Sequence, residues 1–140
     1  MIWFKEVTPA QVNQTGNNTM CSHLGIEVVE IGTDFIKAKM PVDDRTRQPY
    51  GILHGGASVA LAETLGSYAS HLVIDSSKYL AVGLEINANH IRKTTEGEVV
   101  GVAKPIHIGK STHVWGIEIH NEKGLICTSR LTVAIISKKD

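Results

Sequence analysis

Only one stretch of this chain, Gly55 to about Ile74, is long enough and apolar enough for a substantial helix, and it carries a carboxylate, Glu63, near its middle. A carboxylate among Ala, Val and Leu loses solvation, which raises its pKa and makes it a better proton acceptor near neutral pH. The same stretch opens with His54-Gly55-Gly56. Two glycines at a helix start leave backbone N–H groups bare, where an oxyanion can sit. A base and an oxyanion donor are the minimum set for attack on an acyl carbonyl. The plain alternatives stand beside this reading: Glu63 as a structural carboxylate paired with Lys or Arg, and Gly55 as a simple helix-start glycine.

The rest of the chain reads as strands. Thr8-Pro9 forms an N-cap and first helical position for a short helix to about Gln14, broken by Gly16 to Thr19. Leu24–Ile31 and Phe35–Val42 are strand-like around a Gly32-Thr33-Asp34 turn, and Pro41–Tyr50 is a polar loop. After the helix, which Asp75-Ser76-Ser77 ends, come strand-like runs at Tyr79–Arg92, Glu98–Ile108, His113–His120 and Leu125–Ile136. Thr95-Glu96-Gly97, Gly109-Lys110-Ser111 and Asn121 to Gly124 separate them as short turns, which imply antiparallel neighbours. Leu61, Leu65 and Leu72 mark the helix's apolar stripe. Gly56, Ala60, Glu63, Ser67 and Ser70 share another, small-residue face. The expected fold class is therefore α+β, a long helix packed on an antiparallel sheet.

At 140 residues the chain fits one domain spanning 1–140, and its zero formal charge favours neither nucleic acid nor an anionic membrane. No apolar run is long enough to cross a bilayer, and Met1 to Glu6 does not read as a signal peptide. Cys21 and Cys127 stand far apart without metal-type spacing, so reduced thiols in a cytoplasmic protein are expected.

Two segments carry a resemblance: Gln48-Pro-Tyr-Gly-Ile-Leu-His54-Gly55-Gly56-Ala-Ser58, with Glu63 downstream, and Val82-Gly-Leu-Glu-Ile-Asn-Ala-Asn-His-Ile-Arg92. They resemble the hotdog-fold acyl-CoA thioesterases of the 4-hydroxybenzoyl-CoA and phenylacetic-acid-pathway type. Within that family they are most similar to the branch serving menaquinone synthesis and the proofreading of enterobactin synthesis. The resemblance covers nearly the whole chain. It implies a helix wrapped by the sheet, hydrolysis of an aromatic acyl-CoA, and no cofactor or metal.

The resemblance also implies roles. Glu63 is general base or nucleophile, and Gly55 N–H polarises the thioester carbonyl. His54 assists binding or thiolate departure. Gln48 orients the carbonyl or water, although a loop amide on the surface is the plain alternative. Ser67 positions water, the alternative being a hydroxyl bonded back to the carbonyl of Glu63; Thr64 is a weaker candidate. Gly83, His90, Ile91, Arg92 and Lys93, with the turn residues His107, Ile108, Gly109, Lys110, Ser111 and Thr112, contact CoA. Of these, Gly109-Lys110-Ser111 suits a phosphate on its own terms, through flexible backbone, a cation and a hydroxyl. Lys104 and Arg130 are the other basic residues of these strands, and Tyr50, Tyr68 and Tyr79 are candidates to meet the acyl group.

Three other functions compete: a thioesterase acting on carrier-protein thioesters, a hotdog hydratase or dehydratase, and a non-catalytic acyl-CoA binding module. Proton exchange at the acyl α-carbon without CoA release marks the second. Burial of Glu63 in an ion pair marks the third. Helix geometry adds one constraint. Gly55 and Glu63 lie eight residues apart, roughly 12 Å along the axis, more than one side chain spans. The expected site is therefore shared between two chains of a homodimer, and the resemblance points to a homotetramer of two such dimers.

Overall fold

The computed structural model describes residues 1–139 and contains one six-stranded antiparallel sheet with one long helix against its inner face. Helix α1 (Pro9–Thr15) starts where the sequence placed it. Thr8 caps it, and Gln11 closes a capping box by reaching back to the Thr8 N–H. A second helix, α2 (Met20–His23), follows, capped by Thr19. The sequence reading had no helix here and began a strand at Leu24. In the structure Leu24 ends α2, Gly25 turns the chain with φ +73°, and β1 runs only over Glu27–Ile31. A four-residue helix offers no periodicity to read.

Strand β2 (Ile36–Pro41) forms a hairpin with β1, closed by Gly32 N–H to the Phe35 carbonyl at 2.9 Å. Helix α3 (Gly55–Val73) follows the polar loop, and then come β3 (Tyr79–His90), β4 (Glu98–Ile108), β5 (Thr112–Asn121) and β6 (Gly124–Ser137). The sheet order is β1-β2-β4-β5-β6-β3.

This order corrects one expectation. Three short turns suggested that all four late strands pair in sequence. The Gly109 and Asn121 turns do join hairpin partners, but Thr95–Gly97 does not. There the chain crosses from β3 at one edge to β4 beside β2. Strand β3 pairs with β6 on one side only, from Tyr79↔Ser137 to His90↔Cys127. Its other side is a free sheet edge.

Leu61, Ala62, Leu65 and Ala69 of α3 are sealed from solvent against Met40, Val99, Trp115, Ile117, Leu131 and Val133 of the strands. Each large aliphatic side chain so buried contributes about 1.5–3 kcal/mol. Gly101 lets helix and sheet approach this closely: a Cβ there would sit 2.7 Å from Leu65 Cδ1. Ser70 departs from its expected place on the small-residue face beside Glu63. It is fully buried and bonded to β5. No helix among the described residues is long and apolar enough to cross a membrane.

Candidate active site

Glu63 projects from the middle of α3 toward β3. It is partly buried and makes no hydrogen bond or ion pair among the described residues. Loss of solvation therefore acts unopposed and pushes its carboxyl above the usual carboxylate range. The ion-paired structural role is overturned: the chain's salt bridges, such as Lys37–Glu30 and Arg45–Asp43, lie elsewhere. Gly83 makes room for this carboxylate, because a Cβ built there would collide with Glu63 Oε1.

Ser67, one turn on, is half-buried with an unengaged hydroxyl, not bonded back to the helix as its plain alternative required. Thr64 is engaged. Its hydroxyl donates to the Ala60 carbonyl at 2.7 Å and lies 3.7 Å from Cys21 Sγ. Both cysteines are free thiols. Tyr68 packs beside Cys21, and burial first, then that thiol, pushes its phenol up to about 12.

The helix start is capped by its own histidine. His54 Nδ1 accepts the Gly56 N–H at 2.7 Å, and the Ala57 and Ser58 N–H groups both reach the His54 carbonyl. That leaves Gly55 N–H as the one first-turn donor without a partner among the described residues. With Nδ1 accepting, neutral His54 carries its proton on Nε2, a second outward donor. The His90 ring lies over this point, such that a Cβ on Gly55 would be 2.8 Å from His90 Nε2. Gln48 turns its Oε1 back to the Tyr50 N–H, which leaves its amide N–H₂ free. Gln48, Gly55, Ser58, His90, Arg92 and Lys93 line one cleft of about 340 Å³. Tyr50 stands almost fully exposed on the adjoining loop.

The residues expected to contact CoA fall into two groups. Gly83 faces the Glu63 carboxylate, while Val82, its neighbour on β3, pairs with Ala134, which pairs in turn with Thr112. The 107–112 turn therefore lies at the same end as Gly83. There Gly109 N–H closes the turn on the Thr112 carbonyl at 2.9 Å, and Lys110 and Ser111 are exposed. His90, Ile91, Arg92 and Lys93 lie at the far end, roughly 23 Å along β3 by strand rise. Arg92 is partly engaged there, donating to the Lys123 carbonyl. Lys104 and Arg130 belong to neither group, since they line a cleft on the sheet's outer face with Asn87 and Glu118. Tyr79 is exposed on edge strand β3. Sequence reasoning missed this division, because strand register is needed to see it. Ser58, quoted within the motif but given no role there, lines the same cleft as Gly55 and is 2% exposed.

One chain thus gathers Glu63, Gly83 and Ser67 at one place and Gly55, His54, Gln48 and His90 at another. The first can take a proton or attack a carbon. The second can hold an oxyanion.

Known proteins share this architecture and sequence. The profile of the thioesterase superfamily matches residues 50–128. The 1,4-dihydroxy-2-naphthoyl-CoA hydrolase of Escherichia coli is 52% identical over 137 residues, 97% of this chain and 100% of that protein. The proofreading thioesterase EntH of Cronobacter turicensis is 47% identical, over 97% of this chain and 99% of its own length. The crystal structure of a mutant of thioesterase PA1618 from Pseudomonas aeruginosa superposes with a TM-score of 0.97 at 45% identity, covering 99% of this chain and 100% of that one. On both sequence and structure, this chain belongs to the thioesterase superfamily and is a thioester hydrolase of the hotdog fold.

Proposed function

We propose that this protein, as a single domain over residues 1–140, hydrolyses an aromatic acyl-CoA to the free acid and CoA in the cytoplasm. The 1,4-dihydroxy-2-naphthoyl thioester of menaquinone synthesis is the leading substrate. The observation that carries the mechanism is the unpaired, desolvated carboxylate of Glu63 against Gly83. Glu63 takes a proton from water, or itself attacks the carbonyl. Gly55 N–H and the helix dipole stabilise the oxyanion. Gln48 orients the carbonyl through its free amide, Ser67 holds water, and the Nε2–H of His54 faces the departing thiolate. Lys110, with the Ser111 hydroxyl on the same turn, and Arg92 with Lys93 meet the CoA phosphates.

These parts lie too far apart in one chain to meet around one carbonyl. The free edge of β3 supplies the remedy. Antiparallel pairing of β3 with its copy about a two-fold sets Glu63 and Gly83 of one subunit near His54 and Gly55 of the other. Each dimer then holds two sites, and two dimers form the homotetramer. A mixing experiment tests this. Inactive Glu63→Ala and inactive His54→Ala are unfolded and refolded together. Random pairing gives each mixed dimer one intact site, so about a quarter of wild-type activity returns. Verified mixed dimers as inactive as their parents refute the shared site.

A second reading, release of acyl groups from a carrier protein, is favoured by the 47% identity to a proofreading thioesterase. Thiol release from matched CoA and carrier-protein thioesters separates the two.

A further inference from the structure

Beneath the Gly109–Thr112 turn lies a buried polar chain that the mechanism above does not use. His113, at the start of β5, is 2% exposed, and Ser70 of α3 is 0% exposed. Trp115 Nε1–H donates to Ser70 Oγ at 2.7 Å, and Ser70 Oγ lies 3.0 Å from His113 Nδ1. An indole N–H only donates, so Ser70 accepts from Trp115 and its own proton is free for His113 Nδ1. That requires neutral His113. Burial first, then the nearby His107 of β4, hold the imidazole below its ordinary pKa, against a contrary pull from the Gly109 backbone. Trp115 meets the ring edge-on at 6.3 Å and stacks in turn on Trp3. The ring is therefore wedged between the base of the turn and the helix that carries Glu63.

A buried hydroxyl–imidazole pair costs desolvation, and its net contribution to stability is only about 1 kcal/mol. What it adds is geometry, because it admits one separation and one orientation. We propose that Ser70 and His113 are positioning residues that fix the Gly109–Thr112 turn relative to α3, so that the nucleotide end of CoA is held at a set distance from Glu63. The proposal rests on the reading of that turn as a phosphate contact. Neither residue touches substrate. Both act through the backbone of the turn, whose Gly109 N–H bonds Thr112 at 2.9 Å and whose Ser111 carbonyl accepts from Ile135 N–H at 2.9 Å.

The test compares kcat/KM for a CoA thioester with that for the matching pantetheine thioester, which lacks the nucleotide. Ser70→Ala removes the link. His113→Asn keeps an acceptor near the Nδ1 position. Lys110→Ala reports on the phosphate contact itself. The expected result is a fall of about tenfold in the CoA-over-pantetheine preference for Ser70→Ala, carried by KM, with His113→Asn retaining most of it. Amide exchange at Gly109 in the substrate-free enzyme should quicken in Ser70→Ala and not in Lys110→Ala, a readout available even if the variant is less stable. An unchanged preference in Ser70→Ala, with Lys110→Ala lowering it, overturns the positioning role. No change in Lys110→Ala shows that the turn does not read phosphate, and the proposal falls with that reading.

Discussion

At the Tyr79 end of β3 the molecule presents a carboxylate that accepts no hydrogen bond among the described residues. At the His90 end it presents donors with no carboxylate. Glu63 is held there by absence among the described residues: no paired cation, no bonded hydroxyl, and a missing Cβ at Gly83. Gly55 is held by saturation, its neighbours' N–H groups all consumed by His54 so that one donor is left. One end thus leaves its acceptor without partners, and the other pairs every first-turn donor except one. The single chain holds both groups and does not bring them together.

Three substitutions and four measurements probe that contrast, from largest effect to smallest. Glu63→Gln keeps shape and removes the base. Turnover should fall by roughly two to four orders of magnitude while CoA binding persists, and steady-state kinetics with calorimetric CoA titration check both halves. Gly83→Ala puts a methyl where Glu63 Oε1 rests. The displaced carboxylate should lose roughly 10- to 100-fold in kcat while far-ultraviolet dichroism stays native. Lys110→Ala should weaken a CoA thioester by about 1–2 kcal/mol and leave the pantetheine analogue nearly unaffected. Equal effects on both would move the nucleotide elsewhere.

The smallest effect concerns stability. Burial raises the Glu63 pKa in the folded state, so ionised Glu63 is less favourable folded than unfolded. The favourable contribution of the neutral acid is complete below the ordinary carboxylate pKa and is lost as pH rises through the folded value. Glu63→Gln should therefore melt slightly higher than wild type at neutral pH, by roughly one to two degrees given partial exposure. The gap should close as pH falls below about 4. Thermal melts at several pH values decide it, and a gap that widens on acidification contradicts the desolvated carboxylate.

How much of this was legible in the residues depends on how local each feature is. The start of α3, the Thr8 cap, the Gly109 turn and the candidacy of Glu63 rest on neighbours within a few positions, and a sequence displays those. Where β3 pairs is not local. Thr95-Glu96-Gly97 carries turn chemistry, yet the chain continues across the molecule instead of folding back. Ser70 sits at helical spacing from Glu63 and Ser67, but Trp115 and His113, more than forty residues on, draw it into the core. The split of the CoA candidates into two groups follows from β3–β6–β5 register, which no single segment encodes.

The register shift between Gly83 and Glu85 has a consequence of another kind. An unpaired strand edge carrying exposed Leu80, Val82 and Leu84 is a template for runaway stacking of newly made chains. A bulge in that strand bends it and sharpens its twist, so a straight, foreign strand finds no continuous ladder to extend. The irregularity beside the carboxylate therefore also breaks the regular ladder that an edge strand offers to other chains.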